Sequence, residues 1–270
     1  MSTSYLDVDG GRIAYEIYEA VGPEDGPLVV CVHGMGDNRS TFRLLAPRLA
    51  AAGHRVVSVD ARGYGQSSVG RQSYAHQDIG HDLLALIGEL GRPAVIIGHS
   101  IGCAAAVWAA AEEPSKVDGL VLIGTFSGDS PPVKGLMRMA ARLVASSPAL
   151  WGIYYGSLFK AGRPDDFTLR RKALVANLRE PGRKAALQAQ VEEALSGVRP
   201  RYAEVACPVL VLTGSRDPDM ADPEGEARAV LGKLRDGSLH VVAGAGHYPH
   251  LEVPDETAGA VLRALAGRLV

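Results

Sequence analysis

Apolar positions along this chain follow two rhythms. Residues 5–8 and 12–18 alternate apolar and polar side chains about Gly10-Gly11, the period of a β-hairpin with one face covered. Beyond a Gly/Pro/acid turn at 22–27, short apolar runs recur at 28–32, 55–59, 94–97, 119–123, 209–213 and 239–242. The run at 28–32 is unbroken, as expected of a strand covered on both faces. Helical spacing fills the gaps. It begins at Ser40 or Thr41 and runs through Leu44, Leu45 and Leu49, and it returns at 74–90, where Ile79, Leu83, Leu86, Ile87 and Leu90 share one face. An alanine-rich helix is predicted at 104–111, an acidic one near 222–234 and a terminal one at 255–269. Alternating strands and helices predict an α/β fold, with a mostly parallel sheet, right-handed crossovers and helices on both faces.

The rhythm breaks at 126–202. No strand pattern occurs there; amphipathic helical patterns appear at 133–144, 166–178 and 184–195, punctuated by proline and glycine. Because both ends return to the sheet, the segment reads as a helical lid over its C-terminal edge rather than a separately packed domain. The chain divides into a core of residues 1–125 and 203–270 and a lid of residues 126–202, with no internal repeat.

Residues 94–111 carry no charge and are long enough to suggest a membrane span. Gly98-His99-Ser100 lies in the middle, and a helix through it would bury a histidine and a serine in lipid. Strand, turn, helix is the parse. Two glycines flank the serine, so the chain can turn sharply and leave Ser100 on a strained corner before a helix N-terminus. This is the pattern of a nucleophile elbow and points to covalent catalysis by Ser100.

Composition narrows the classes. The chain has 270 residues, 47% hydrophobic and 21% charged, enough for one large core. A net charge of -2, a pI near 6.4 and the lack of long Lys/Arg clusters argue against nucleic-acid binding. Cys31, Cys103 and Cys207 are far apart and odd in number, as reduced buried thiols are. Met1 to Tyr5 contains no basic, apolar export pattern, so a cytoplasmic protein without membrane association is expected. Gly34-x-Gly36 and Gly63-x-Gly65 lack the third glycine of a dinucleotide fingerprint, and no Gly-x-x-x-x-Gly-Lys occurs. No cofactor and no metal are expected.

Four motifs then fall in a telling order: His33-Gly34-Met35-Gly36 after the first buried strand, Gly98-His99-Ser100-Ile101-Gly102, Gly214-Ser215-Arg216-Asp217, and Gly246-His247 with Glu252 five residues on. Together they resemble the α/β-hydrolase family over nearly the full length of the chain. The order serine, acid, histidine distinguishes that fold from other serine hydrolases. The resemblance implies Ser100 as nucleophile, His247 as its base and Asp217 as the carboxylate that fixes the imidazole tautomer. It also implies an oxyanion hole formed by the backbone N–H groups of Met35 and Ile101. Asp219 and Asp129 are alternative acids. His250 forms His-x-x-His with His247, a possible metal pair, although Pro249 interrupts it and no carboxylate has ligand spacing. His33 and His99 read as ordering groups, and Asp60 and Arg62 as structural ion-pairing groups. Serine at the elbow argues against the dehalogenases and epoxide hydrolases of this fold, which use a carboxylate nucleophile.

The expected function is a serine hydrolase acting through an acyl-enzyme on a small ester, thioester or lactone. C–C bond hydrolysis, a non-hydrolytic biosynthetic step, or ligand reception in signalling are alternatives on the same residues. Apolar residues of the lid, Trp151, Tyr155 and Met137 with Leu136, Met139 and Ile153, are expected to roof the substrate pocket. The partner is expected to be a small molecule; the sequence leaves the oligomeric state open.

Overall fold

The computed structural model describes residues 2–22 and 26–267. The parts of the predicted turn at 23–25 and of the terminal helix at 268–269 lie outside them. β1 (Thr3–Val8) and β2 (Gly11–Tyr18) form the expected hairpin. They are followed by β3 (Leu28–Val32), α1 (Ala46–Ala51), β4 (Val56–Val59), α2 (His76–Leu90), β5 (Ala94–His99), α3 (Ile101–Glu112) and β6 (Val117–Ile123). Four helices come next: α4 (Gly135–Ser146), α5 (Pro148–Ser157), α6 (Phe167–Leu178) and α7 (Arg183–Ser196). The chain then returns to the sheet through β7 (Val209–Gly214), α8 (Pro223–Leu231), β8 (Gly237–Val242), α9 (Pro249–Glu252) and α10 (Pro254–Ala266).

The strands make one sheet in the order β1-β2-β4-β3-β5-β6-β7-β8. β2 pairs antiparallel with β1 and β4; every other pairing is parallel. Alternate residues of each central strand feed opposite layers. Val30, Val32 and Ile96 pack with α2, α3 and the four-helix insert, while Val29, Cys31, Val95 and Ile97 pack with α1 and α10. Covering both faces explains why these strands read as unbroken apolar runs.

One predicted helix is split. The spacing from Ser40 to Leu49 resolves into a 3-10 turn at Arg39–Phe42 and then α1. Asn38 caps the turn, its side chain accepting from the Ser40 N–H at 3.0 Å. Pro47, in the first turn of α1, lacks a donor and suits a fresh start. α5 was not visible in the periodicity because it is apolar and aromatic nearly all round, with Trp151, Gly152, Tyr155 and Gly156 buried.

The insert is stitched to the sheet side by polar contacts. Tyr64 Oη donates to Gln190 Oε1 at 2.7 Å, Asn177 bonds the backbone of Gly65 in both directions, and Arg43 pairs with Asp166. Of the motifs set aside as structural, Asp60 accepts from Arg39 and from the Gln66 N–H, and Arg62 holds Asp82 of α2 through two bonds of 2.7 and 2.8 Å. Both are buried ion pairs, but not with each other.

At the centre of the sheet, β3, β5 and α3 approach with no room for side chains. A Cβ on Gly98 would lie 2.7 Å from the Gly102 carbonyl oxygen, and one on Gly102 would lie 2.7 Å from the carbonyl oxygens of Val32 and His33. These are backbone atoms, which cannot swing aside. Gly102→Ala is therefore expected to lower stability by about 1–3 kcal/mol, read as a fall in the urea midpoint; an unchanged midpoint would show that the approach relaxes freely.

Candidate active site

β5 ends at His99, and the next residue, Ser100, has φ 55° and ψ -123°, the sole non-glycine with positive φ among the described residues. Such backbone costs energy in an L-residue and persists where its surroundings enforce it. Here the Ser100 N–H donates to the Ile123 carbonyl at the end of β6 at 2.9 Å, and α3 begins at once with Ile101. Ser100 therefore stands between a strand end and a helix N-terminus. The N–H of Ile101, in the first turn of α3, has no acceptor inside the helix.

His247 lies on the loop after β8, buried, and Asp217 on the loop after β7, also buried. His247 Nδ1 is 2.6 Å from Asp217 Oδ2. A carboxylate can only accept, so Nδ1 carries the proton and neutral His247 keeps its lone pair on Nε2. Of the alternative acids, Asp129 is exposed and pairs with Lys233. Asp219 is near: its Oδ2 sits 3.9 Å from His247 Nε2, and both its oxygens accept from Tyr154 Oη of α5, at 2.7 and 2.8 Å. Burial opposes charge on the His247 ring, yet the carboxylates of Asp217, Asp219 and Glu252 outweigh it and raise the pKa to about 9.

The other histidines are ordering groups. His33 Nδ1 donates to the Gly34 carbonyl at 2.7 Å, and its Nε2 accepts from the Ala61 N–H at 3.0 Å, which fixes the loop that carries Met35. His99 Nε2 donates to the His247 carbonyl at 2.9 Å. Burial, with the His247 and His250 rings beside it, holds its pKa well below the usual value and keeps it a neutral donor. His250 is fully buried, bonds Thr41 Oγ1 at 3.1 Å, and is pushed down to about 3 by burial and the His247 ring.

Glu252 explains its place in the motif. Its two carboxylate oxygens accept from the backbone N–H groups of Gly246, Tyr248, Lys160 and Ala161 at 2.6 to 3.3 Å. With the bond from the His247 N–H to the Leu158 carbonyl at 2.9 Å, it ties the histidine loop to the chain following α5. Asp217, Asp219 and His247 are the one group among the described residues with metal-compatible spacing, their ligand atoms within 4.8 Å. Nδ1 is committed as donor in the 2.6 Å bond to Asp217, so of the two ring nitrogens only Nε2 has a lone pair to offer a cation.

Two adjoining cavities open over Ser100 and His247. A small one is lined by Met35, Trp151, Tyr154, Tyr155, Leu158 and Tyr248. Trp151 and Tyr155 thus stand where a roof was expected, and Tyr155 stacks on Phe167 with ring centroids 5.9 Å apart. Met137 does not: it is 71% exposed and lines neither cavity, and Leu136, Met139 and Ile153 also face outward. In α4 the side that packs on the core carries Ala141, Val144 and Ala145, with Arg138 and Arg142 pairing to Glu192 of α7, so its larger apolar side chains face away.

The larger cavity, about 680 Å³, also reaches Met35, Ser100, Ile101 and His247. Its walls are the loops after β6 and β7, including Phe126, Val133, Met220, Asp129, Asp219 and Asp222, together with Val198 just after α7 and Glu226 of α8. Apart from Asp129 and Asp219, weighed above as alternative acids, these residues escaped sequence reasoning. The available signal was position: in open α/β sheets, ligands bind beyond the carboxyl ends of strands, which is where both loops begin.

A profile of the alpha/beta hydrolase family matches residues 29–260. The chain is 30% identical to 2-(acetamidomethylene)succinate hydrolase of Mesorhizobium japonicum over 94% of its own length and 92% of that protein's. It is 27% identical to human monoglyceride lipase over 93% of its length and 85% of that protein's. In fold it resembles a bromoperoxidase from Bacillus anthracis, with a TM-score of 0.83 at 19% identity, covering 98% of this chain and all of the other.

The raised His247 pKa sets a pH expectation. If His247 serves as a base it must be neutral to accept a proton, so any kcat/KM on a chromogenic ester should then rise with pH through an apparent pKa above the ordinary histidine value of about 6.5. Asp219→Asn removes a negative charge beside the imidazolium and should move this limb to lower pH. His250→Gln should leave it in place. An unmoved limb in Asp219→Asn would mean that the carboxylate does not act on His247.

Proposed function

The chain belongs to the alpha/beta hydrolase family, and from that premise we propose that it is a serine hydrolase that cleaves a small uncharged carboxylic ester, thioester or lactone through an acyl-enzyme. The observation that carries this reading is the strained backbone of Ser100 beside a buried His247 whose tautomer is fixed by Asp217 at 2.6 Å. Ser100 Oγ attacks the carbonyl carbon while His247 Nε2 takes its proton. Negative charge then gathers on the carbonyl oxygen, where the N–H groups of Met35 and Ile101 stabilise it. The tetrahedral species collapses, His247 gives its proton to the leaving oxygen or sulfur, and the acyl group stays on Ser100. Water, deprotonated by His247, repeats the sequence and releases the acid.

The larger cavity supports the choice of an uncharged substrate. Four carboxylates line it and no lysine or arginine does, so a substrate bearing carboxylates near the reacting bond would meet repulsion. The relative named for a substituted succinate therefore does not lend its substrate to this chain. Within this reading the helical insert acts as a lid, with Trp151, Tyr154 and Tyr155 as its roof.

Ser100→Ala should abolish hydrolysis with a loss on the order of 10⁶ in kcat, and an alkyl phosphonate probe should label Ser100 of the parent protein alone. Phosphonate carried on another residue, with turnover intact in the variant, would overturn the assignment. Trp151→Ala should lower kcat/KM for long or aromatic acyl esters by about tenfold or more while changing an acetyl ester little, since each methylene of such contact is worth about 1–3 kcal/mol. Equal losses on short and long esters would mean that Trp151 supports the catalytic geometry instead.

A further inference from the structure

α4 is amphipathic in the wrong sense for a helix folded onto a core. Leu136, Met139, Ala140 and Leu143 fall at the i, i+3, i+4, i+7 spacing that marks a buried stripe. All four are exposed, with Met137 beside them. The face turned inward carries the small side chains Ala141, Val144 and Ala145 with Arg138, which Glu192 holds and which also donates to the carbonyls of Val133 and Leu195, while Arg142 pairs with Glu192 at the surface. Nor is α4 alone. Six of the eight large hydrophobic side chains exposed among the described residues lie on three consecutive helices: Leu136, Met137, Met139 and Leu143 on α4, Ile153 on α5 and Leu169 on α6, each 62–80% exposed.

Charge says what covers this face. Residues 126–202 contain thirteen Lys and Arg against six Asp and Glu, while the rest of the chain contains fifteen against twenty-four. Part of that excess sits beside one of these apolar side chains, Ile153. Arg171, Lys172 and Arg179 line an open groove of about 420 Å³ with Ile153, Ala149 and Val175, and none of the three cations has a carboxylate partner among the described residues. Apolar side chains interleaved with unpaired cations are what an anionic lipid surface takes up: the former enter the acyl boundary and the latter meet the headgroups. A second copy suits the face poorly, since two-fold pairing would set basic surface against basic surface.

We infer that the outer face of α4, α5 and α6 docks this protein peripherally on an anionic lipid surface. No helix among the described residues is long and apolar enough to cross a membrane, so docking is the mode of attachment open to these helices. The catalytic cavity is adjacent. Val133, immediately before α4, lines it, so a docked face brings the cavity rim toward the lipid. Resting on the hydrolase reading above, this selects a neutral amphiphilic ester, drawn from the lipid phase, as the substrate class.

The test is flotation of the full chain with phosphatidylcholine vesicles, with and without about 30 mol% phosphatidylserine. The protein should float at least tenfold more with the anionic vesicles, and raised salt should release it. Met139→Glu/Leu143→Glu should cut the bound fraction about tenfold while leaving turnover of a soluble acetyl ester unchanged. Arg171→Glu/Lys172→Glu should cut it as well through a separate set of side chains, which keeps the test open should the first variant fold poorly. Ser100→Ala should float like the parent, so docking is scored apart from the chemistry. Failure of the parent to float, or undiminished flotation of both variants, overturns the inference. So does a dimer, seen by light scattering, that Met139→Glu/Leu143→Glu splits into monomers.

Discussion

Ser100 can stand where it does because three backbones meet with nothing between them. Gly98, next to last in β5, lies against Gly102 in the first turn of α3, and Gly102 lies against the end of β3, at separations that a single methyl group would violate. That approach bends the chain through a φ of 55° at Ser100 and points the first turn of α3 at the space above it. The strain is local, but the surroundings that enforce it are buried: β3, β5 and β6 are covered on both sides, so the elbow has no soft direction in which to relax. Met35 reaches the same space because His33, bonded at both ring nitrogens, fixes the loop after β3.

The imidazole is positioned from two directions of different character. On the sheet side, Asp217 grips Nδ1 from the end of β7 and His99 donates to the His247 carbonyl from the end of β5. On the insert side, the His247 N–H bonds Leu158, and Glu252 gathers four backbone N–H groups from two loops. Tyr154 completes the link by donating to Asp219, itself 3.9 Å from Nε2. The aromatic roof and the ring beneath it are thus joined through short polar contacts, so a shift in α5 reaches the imidazole directly. A carboxylate placed this close also favours a protonated ring, which ties the charge state of His247 to a contact made by the insert.

Charge is divided between the two parts of the chain. The cavity over Ser100 is acidic and the helices above it are basic, while the whole carries a net charge of only -2. A pI near 6.4 conceals that division, because opposite local excesses cancel in the sum.

The sheet, its flanking helices and the sharp turn at Ser100 were legible in the chain, and for a physical reason. Buried strands need unbroken apolar runs, a sharp strand-to-helix turn needs glycine, and each is a local requirement written in adjacent residues. The split of the predicted helix at Pro47, and the concealment of α5 by its own uniform apolarity, are failures of periodicity where capping or full burial takes over. What tertiary structure decided was orientation. Periodicity reveals that α4 has an apolar side, but not which side the rest of the molecule takes. The core took the side of Ala141, Val144 and Ala145, with Arg138 pairing to Glu192 more than fifty residues away, and left Met137 outside the pocket it was expected to line. Likewise the loops that wall the larger cavity carry no motif of their own. They meet over Ser100 because β6 and β7 end side by side, a fact about the sheet and not about any one stretch of residues.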